Sequence, residues 1–235
     1  MKQWQKYLAE FFGTFILVFL GTTAVVGAVR SDVSPLLVAP FAFGLALLAG
    51  LYAFAEVSGG HYNPAVSLGL FLDRRLTVSD LLGYWVSQFL GGIAAAVVLL
   101  IATSKHDVAS TATVPSSTGT AFVVELVLTA IFVAVILQSS KSSRFGGSAL
   151  IAIPLTLVAV HFAAVPFSGS SVNPARTFGP ALIGNEWTGI WIYFVAPLLG
   201  AVLVWLVYRV VVQGDTDVRD DVKALRSDTV PSHEG

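Results

Sequence analysis

Two copies of an Asn-Pro-Ala triplet are the segments of this sequence best suited to chemistry. They lie within SGGHYNPAVSLG at 58–69 and SGSSVNPARTFG at 168–179, in a constant register. Asparagine is a favoured helix N-cap and proline suits the first helical position, so each triplet predicts the start of a helix. The side-chain amides of Asn63 and Asn173 would then stand at helix N-termini, as hydrogen-bond donors rather than as nucleophiles or acids.

The composition indicates which elements must position these triplets. The chain has 235 residues, of which 55% are hydrophobic and 11% charged, which predicts a lipid-facing protein. Windows long enough to cross a bilayer core of ~30 Å are predicted at about 8–29, 35–56, 80–102, 120–140, 147–166 and 187–212. The first window resembles a signal peptide, but it is longer than the usual signal core and Glu10 interrupts it, so we predict a mature helix.

Charge and cysteine content exclude several classes of site. The formal net charge is −1 and there are no cysteines, so we expect no nucleic-acid partner, disulfide, thiolate metal site or thiol nucleophile. The four histidines are scattered along the sequence, and we expect no metal and no cofactor.

The distribution of basic residues predicts how the chain is oriented. Most of them fall on the side of the membrane that holds both termini, namely Lys2, Lys6, Arg74, Arg75, Lys141, Arg144, Arg209, Arg219, Lys223 and Arg226. The other side carries Arg30, Lys105 and Arg176. By the positive-inside rule, this bias predicts a multi-pass protein of the cell membrane with both termini in the cytoplasm.

An internal duplication divides the chain into residues 1–112, residues 113–212 and a polar tail at 213–235. Outside the triplets the two copies also share matched positions, which are Glu10 and Glu125, Thr14 and Thr129, Tyr84 and Tyr193, and Gly91 and Gly200. Each copy contains three spans, an odd number, so the second copy must enter the membrane from the opposite side as an inverted repeat.

The apolar stretches that follow the triplets, at about 64–72 and 174–183, are too short to cross a bilayer. They predict two half-helices that enter from opposite faces and meet near the midplane. The irregular runs before them, 59–62 and 169–172, would leave unpaired carbonyls at membrane depth, which is tolerable only beside a water-filled cavity. The fold prediction is therefore an all-α integral membrane protein with six transmembrane helices and two reentrant half-helices in two inverted repeats.

The two boxes, SGGHYNPAV and SSVNPARTFGPAL, resemble those of the aquaporin (major intrinsic protein) family, and the resemblance extends from about Leu8 to Arg209. It implies a passive water channel, not an enzyme, in which water crosses in single file, ions and protons are excluded, and four identical subunits form a homotetramer. The two helix N-termini at the midplane would each place about half a positive charge there and oppose cations.

The resemblance also implies roles for individual residues. The pore motifs would be Asn63, Pro64, Ala65, Asn173, Pro174 and Ala175. The selectivity constriction would be Phe43, His161, Ser170 and Arg176. The backbone along the pore would be that of Gly59, Gly60, His61, Tyr62, Gly169 and Ser171. Glu10 and Glu125 would brace the two reentrant loops.

Some of these residues have simpler explanations. An arginine inside a membrane normally faces a cavity or a partner, which favours a functional role for Arg176 on physical grounds. His161 could instead be a buried histidine bonded to its helix backbone, and Phe43 could be ordinary packing. Serine is common at helix contacts, which weakens the prediction for Ser170.

The same positions favour water over larger solutes. Facilitators of the glycerol type usually carry glycine in place of His161 and aspartate in place of Thr177. Hydrogen peroxide and ammonia are not excluded as permeants, and a membrane enzyme, an ion-coupled transporter or a purely structural junction protein are the alternatives from other classes. Glu56, near the cytoplasmic mouth, receives no role, and the basic segment 141–144 is interpreted as a topology signal rather than a gate.

Glycines in the helix interiors are expected to allow close helix packing. These are Gly13, Gly21, Gly27, Gly44, Gly50, Gly91, Gly92 and Gly200.

Overall fold

The computed structural model describes residues 1–141 and 146–213, and all regular structure in them is helical. Six long apolar helices have the length and hydropathy to cross a membrane, which confirms the fold class. In chain order the helices are α1 Gln3–Arg30, α2 Pro35–Ser58, α3 Pro64–Leu72, α4 Val78–Ala102, α5 Lys105–Ser110, α6 Thr118–Ser139, α7 Ala149–Ser168, α8 Pro174–Gly184 and α9 Ile192–Tyr208.

The short helices α3 and α8 begin where the triplets predict. The side-chain oxygen of Asn63 accepts a hydrogen bond from the amide of Ala65 at 2.9 Å, and that of Asn173 accepts one from Ala175 at 3.0 Å. At 1.5 Å per residue, α3 is about 14 Å long, roughly half of a bilayer core. Helix α3 packs against α4, α6 and α9, and α8 packs against α4 and α5, so both lie among the long helices.

Two glycines let long helices touch through their backbones at matched places in the two halves. A Cβ on Gly91 would lie 2.4 Å from the carbonyl oxygen of Phe11, and a Cβ on Gly200 would lie 2.4 Å from that of Leu126. Any larger residue would push α4 from α1, or α9 from α6. The two contacts join equivalent glycines of the two halves, and the inverted relation of the halves stays a prediction.

The half-helix α8 depends on a similar contact with α4. A Cβ on Gly92 would lie 2.5 Å from the carbonyl oxygen of Ala175, and one on Gly179 would lie 2.2 Å from that of Gly92. The prediction that Gly27 also serves packing within the subunit is wrong, because among the described residues nothing lies within 4 Å of a Cβ placed there.

The structure corrects several boundaries. Helix α1 begins at Gln3 rather than near residue 8, and α9 begins at Ile192 because residues 188–191 form a turn. The sequence analysis missed α5, a six-residue helix whose N-cap Ser104 accepts from the amide of Asp107 at 3.1 Å. The predicted tail at 213–235 lies, beyond Gln213, outside the described residues, as does most of the basic segment 141–144.

Candidate functional site

The side chains of Asn63 and Asn173 join the two reentrant loops. The Nδ2 of Asn63 donates to the carbonyl oxygen of Val172 at 2.7 Å, and the Nδ2 of Asn173 donates to that of Tyr62 at 2.9 Å. Each amide carries a second N–H, and both asparagines line the same narrow cavity. The arrangement therefore offers one donor from each loop to the cavity.

The loop backbone departs from ordinary geometry at the same places in both copies. Positive φ angles occur at Gly59, Gly60, Tyr62, Gly169, Ser170 and Val172. For a β-branched residue such as Val172, at φ 46°, this conformation is strained and persists only when the surroundings impose it. The carbonyl oxygens of Tyr62 and Val172 each accept a hydrogen bond from the asparagine of the opposite loop. The sequence did not reveal that these two carbonyls help to join the loops.

Glu10 supplies what the first loop needs to hold this geometry. Its carboxyl is fully buried, and it accepts hydrogen bonds from the amides of His61 at 2.9 Å and Tyr62 at 2.7 Å. The side chains of Ser58 and Gln88 each donate to it at 2.7 Å. Four donors compensate the burial of a carboxyl group in the membrane interior.

Glu125 does the same for the second loop. It accepts from the amides of Ser171 at 2.8 Å and Val172 at 2.7 Å, and from the hydroxyl of Ser168 at 2.6 Å. These hydrogen bonds are the contacts through which Glu10 and Glu125 would brace the loops in the role that the resemblance implies.

Two tyrosines complete the matched supports. The hydroxyl of Tyr84 donates to the carbonyl of Ser58 at 2.6 Å, and that of Tyr193 donates to the carbonyl of Ser168 at 2.6 Å. The sequence analysis matched Tyr84 with Tyr193 but gave them no role, and it did not single out Ser58, Ser168 or Gln88 as loop supports.

Three of the four residues predicted to form the constriction, Phe43, His161 and Arg176, lie together and line the narrow cavity. The rings of Phe43 and His161 have centroids 5.1 Å apart, and the guanidinium carbon of Arg176 lies 4.7 Å from the Phe43 centroid. Three of the four predicted residues each have a buried polar atom without a hydrogen-bond partner among the described residues, namely Nε2 of His161, Oγ of Ser170 and Nε of Arg176. Since unpaired buried polar groups are costly, this cluster is suited to contact with water.

His161 combines the two interpretations that its sequence position allowed. Its Nδ1 lies 3.1 Å from the carbonyl oxygen of Leu157, one turn earlier in α7, which is the backbone contact expected of an ordinary buried histidine. Its Nε2 is left for the cavity that His161 and Arg176 line.

Arg176 is held by residues 104–113, here called the outer segment, to which the sequence analysis gave no role. Its Nη1 donates to the carbonyl of Thr111 at 3.0 Å, and the hydroxyls of Thr113 and Thr177 lie 2.9 Å apart. The Thr177 hydroxyl in turn donates to that of Ser171 at 2.5 Å. The residue beside the arginine therefore links the outer segment to the second loop.

The outer segment is itself tied to α1. Arg30 and Asp107 form an ion pair at 2.8 Å, and the hydroxyl of Ser104 donates to Asp107 at 2.6 Å. The hydrogen bond from Ser104, together with the charge of Arg30, holds the pKa of Asp107 below its usual range.

Two cavities follow one another through the site. The narrow one, about 20 Å³ as the space open to the centres of water-sized spheres, is lined by both asparagines, His161 and Arg176, and it has room for about one water by that measure. A wider one of about 110 Å³ is lined by Gly59, Gly60, His61 and apolar side chains. His61 borders both cavities.

Within the described residues, no group of three histidine or acidic side chains could hold a metal ion. Six membrane-length helices around a narrow cavity lined by both asparagines, His161 and Arg176 are the architecture expected of a membrane channel.

The comparisons with known proteins agree. The profile of the major intrinsic protein family matches residues 1–208. A Brucella melitensis protein named Aquaporin Z is 40% identical over 219 residues, which cover 87% of this chain and 96% of its own length. A Rhodopseudomonas palustris protein of the same name is 40% identical over 235 residues, covering 93% of this chain and 98% of its own length.

Relatives named for glycerol are also similar. The glycerol uptake facilitator protein-like 6 of Lactiplantibacillus plantarum is 38% identical over 214 residues, covering 88% of this chain and 97% of its own. The X-ray structure of the aquaglyceroporin from Plasmodium falciparum superposes with a TM-score of 0.80 over 92% of this chain and 100% of its own, at 24% identity, and so supports the fold. The chain belongs to the major intrinsic protein family and is a multi-pass channel protein.

Proposed function

We propose that this protein is a passive water channel that conducts water in single file along osmotic gradients and excludes ions and protons. The observation that carries the proposal is the cluster of Phe43, His161 and Arg176 beside a cavity of water size. The unpartnered nitrogens of His161 and Arg176 replace hydrogen bonds that water loses on entering. The ring of Phe43 closes the passage on its apolar side.

Orientation of the permeating water is the role of Asn63 and Asn173. One N–H of each amide is fixed to the opposite loop, so the free N–H is held in a constant direction. A water that accepts from both amides must point its own hydrogens away from the midplane, which interrupts a proton relay. The positive ends of α3 and α8 and the charge of Arg176 oppose cations.

The remaining acceptors along the file are loop carbonyls. Among the described residues, no hydrogen bond reaches the carbonyls of Gly59, Gly60, His61, Gly169, Ser170 or Ser171. The carbonyl of Tyr62, with one acceptor site used by Asn173, contributes less to the file than predicted.

Selectivity against polyols follows from the side chains at the constriction. The resemblance gives glycerol-type relatives a glycine where this chain has His161, and the imidazole here fills space beside Phe43 and Arg176. Aspartate at position 177 would replace a hydroxyl that bridges Thr113 and Ser171. Both features favour water over glycerol.

We further propose that four copies assemble in the cell membrane, each with its own pore, and that both termini are cytoplasmic. The excess of basic residues in the loops on the side of the termini supports this orientation.

The test is stopped-flow light scattering of proteoliposomes in an impermeant osmolyte and in glycerol, with a pH-sensitive dye inside to follow proton flux. We expect fast osmotic shrinkage at a rate well above that of empty vesicles, without glycerol entry or proton leak. Rapid glycerol entry would move the chain to the facilitator class. Absence of water flux through folded protein would contradict the channel proposal.

A further inference from the structure

Three buried hydroxyl groups run in series from the outer segment to the second reentrant loop. The hydroxyl of Thr113 lies 2.9 Å from that of Thr177, which lies 2.5 Å from that of Ser171. The Ser171 hydroxyl in turn lies 2.9 Å from the carbonyl oxygen of Asn173. All four residues are buried, Thr113 with 3% of its surface exposed. We call Thr113, Thr177 and Ser171 the hydroxyl series.

The number of protons fixes the direction of these hydrogen bonds. A hydroxyl group has one proton to donate and can accept two hydrogen bonds. Ser171 donates its proton to the Asn173 carbonyl, and Thr177 donates its proton to Ser171. The bond between Thr113 and Thr177 therefore requires Thr113 as the donor, because Thr177 has no second proton. The series thus begins with a donor from the outer segment and ends at the asparagine that starts α8.

The first half of the molecule supplies the corresponding donor from a long helix. There the hydroxyl of Ser67, which is equivalent to Thr177, accepts from Nε2 of Gln88 in α4 at 2.9 Å. Gln88 follows the matched tyrosine of α4 by four residues, and the residue at that place in α9 is Pro197. The proline side chain has no hydrogen-bond donor. In the second half, Thr113 of the outer segment takes the place of this helix donor.

The outer segment holds two neighbouring residues of α8 at once. Its Thr111 carbonyl accepts from Nη1 of Arg176 at 3.0 Å, and its Thr113 hydroxyl bonds to Thr177. A valine at position 113 would place a methyl carbon about where the hydroxyl lies, 2.9 Å from the Thr177 oxygen. This is shorter than the ~3.5 Å at which nonbonded heavy atoms attract best. The segment would have to retreat from α8 and take the Thr111 carbonyl with it.

We propose that Thr113 is a specificity-determining residue, which positions Arg176 at the constriction by holding the outer segment against α8 through the hydroxyl series. Thr113 does not line the narrow cavity and acts through Thr177 and the Thr111 carbonyl, so it is a positioning residue. Without its hydroxyl, the Arg176 guanidinium follows the retreating carbonyl and the constriction widens for polyols. This inference rests on the proposed function as a water-selective channel.

The first test is Thr113→Val, which keeps the shape of the side chain and removes the donor. Stopped-flow light scattering of proteoliposomes gives the water and glycerol permeabilities of each variant. We expect the ratio of glycerol to water permeability to rise about threefold or more, as for the loss of one hydrogen bond. Thr113→Ser, which keeps the donor, should stay at the parent ratio.

Thr156→Val is the matched control for this change. The Thr156 hydroxyl donates within its own helix, to the carbonyl of Ala152 at 2.8 Å, so the ratio should not change. An unchanged ratio in Thr113→Val, or an equal rise in Thr156→Val, would overturn the proposal.

Thr177→Val breaks the same hydrogen bond from the side of α8, so the test stands even where Thr113→Val fails to fold. The ratio should rise in this variant too. Adding Thr113→Val to it should raise the ratio no further, because the two residues act through one contact. Independent, multiplicative effects of the two substitutions would contradict the proposed coupling.

The reactivity of Arg176 tests its position without any permeation. Butanedione, a small dicarbonyl that modifies guanidinium groups, is added to purified protein, and the modification of each arginine is followed by peptide mass spectrometry. We expect Arg176 to react about threefold faster or more in Thr113→Val than in the parent or in Thr113→Ser. The exposed Arg74 serves as the internal reference and should react equally in all three proteins. Circular dichroism verifies that the variants fold.

The two proposals fail in different samples. A parent protein that conducts no water, or that admits glycerol, contradicts the proposed function. Equal modification of Arg176 in the parent and in folded Thr113→Val contradicts the role of Thr113, whatever the parent conducts.

Discussion

Buried polar atoms without partners are the distinctive feature at the scale of single residues. A buried donor or acceptor left unpaired costs about 1–3 kcal/mol, yet His161, Ser170 and Arg176, three of the four residues predicted for the constriction, each carry such an atom. Each residue is fixed by other atoms, as His161 is by its contact with Leu157 and Arg176 by its bond to Thr111. Fixed side chains with free polar atoms are what a permeating water needs.

Removal of the His161 side chain should open the passage to larger solutes. We expect His161→Gly to raise glycerol permeability about tenfold or more, equivalent to a barrier lower by ~1.4 kcal/mol, because the imidazole no longer fills the space beside Phe43. The measurement is reswelling of proteoliposomes in glycerol. Leu155→Gly, at a 60% exposed position of the same helix, controls for the cost of glycine in a helix. Unchanged glycerol entry in His161→Gly would remove His161 from the constriction.

At the scale of elements, the two half-helices are held by backbone contacts rather than by large apolar side chains. Lipid tails are as apolar as leucine, so helices in membranes associate through close packing and hydrogen bonds. Here Gly92 and Gly179 bring the backbones of α4 and α8 together, and Glu125 fixes the loop that leads into α8. The position of Asn173 at the start of α8 depends on both.

A single methyl group should test this packing. Gly92→Ala should lower the thermal stability of the folded protein, because the new Cβ would lie 2.5 Å from the Ala175 carbonyl oxygen and must push α8 from α4. Overpacking of this kind typically costs about 1–3 kcal/mol. Stability is followed as the fraction of protein that remains monodisperse on size-exclusion chromatography after heating.

Gly27→Ala is the matched control for this prediction. Nothing within the described residues lies near a Cβ at that position, so the variant should be neutral or gain up to about 1 kcal/mol from helix propensity. Equal stability of Gly92→Ala and Gly27→Ala would show that the α4–α8 contact is not critical.

At the scale of the whole molecule, the proposed passage runs through one chain, with the vestibule, His61, the asparagine pair and Arg176 in succession. Nothing along it can react with a thiol reagent, since the chain contains no cysteine. The whole channel should therefore resist mercurial compounds.

Sensitivity to mercury can be introduced at a chosen point. The parent protein should keep its water permeability in mercuric chloride, whereas Ser170→Cys should lose most of it and recover after addition of a thiol reductant, because a bound mercury atom would block the constriction. Stopped-flow shrinkage measures both. Strong inhibition of the parent under thiol-specific conditions would contradict the first expectation, and an insensitive Ser170→Cys variant would place residue 170 away from the water path.

Features set by short stretches of chain could be predicted from the sequence. Hydropathy over about 20 residues located the six spans, and the Asn-Pro pairs located the starts of α3 and α8, because capping and lipid exposure act within a few residues. The repeat register aligned the two Asn-Pro-Ala segments, and the arginine at position 176 follows the second of them, so both indicated the same functional site. Glu10 and Glu125 were assigned to the loops by resemblance.

The tertiary structure decided what depends on residues distant in sequence. Asn173 bonds to Tyr62 across 111 positions, and Arg176 bonds to Thr111 across 65, so neither contact leaves a local pattern. The short helix α5 was missed because six residues are too few for a periodic signal. The unpartnered nitrogens of His161 and Arg176 likewise became visible only once the helices were packed, because burial and unsatisfied hydrogen bonds are properties of the assembled fold.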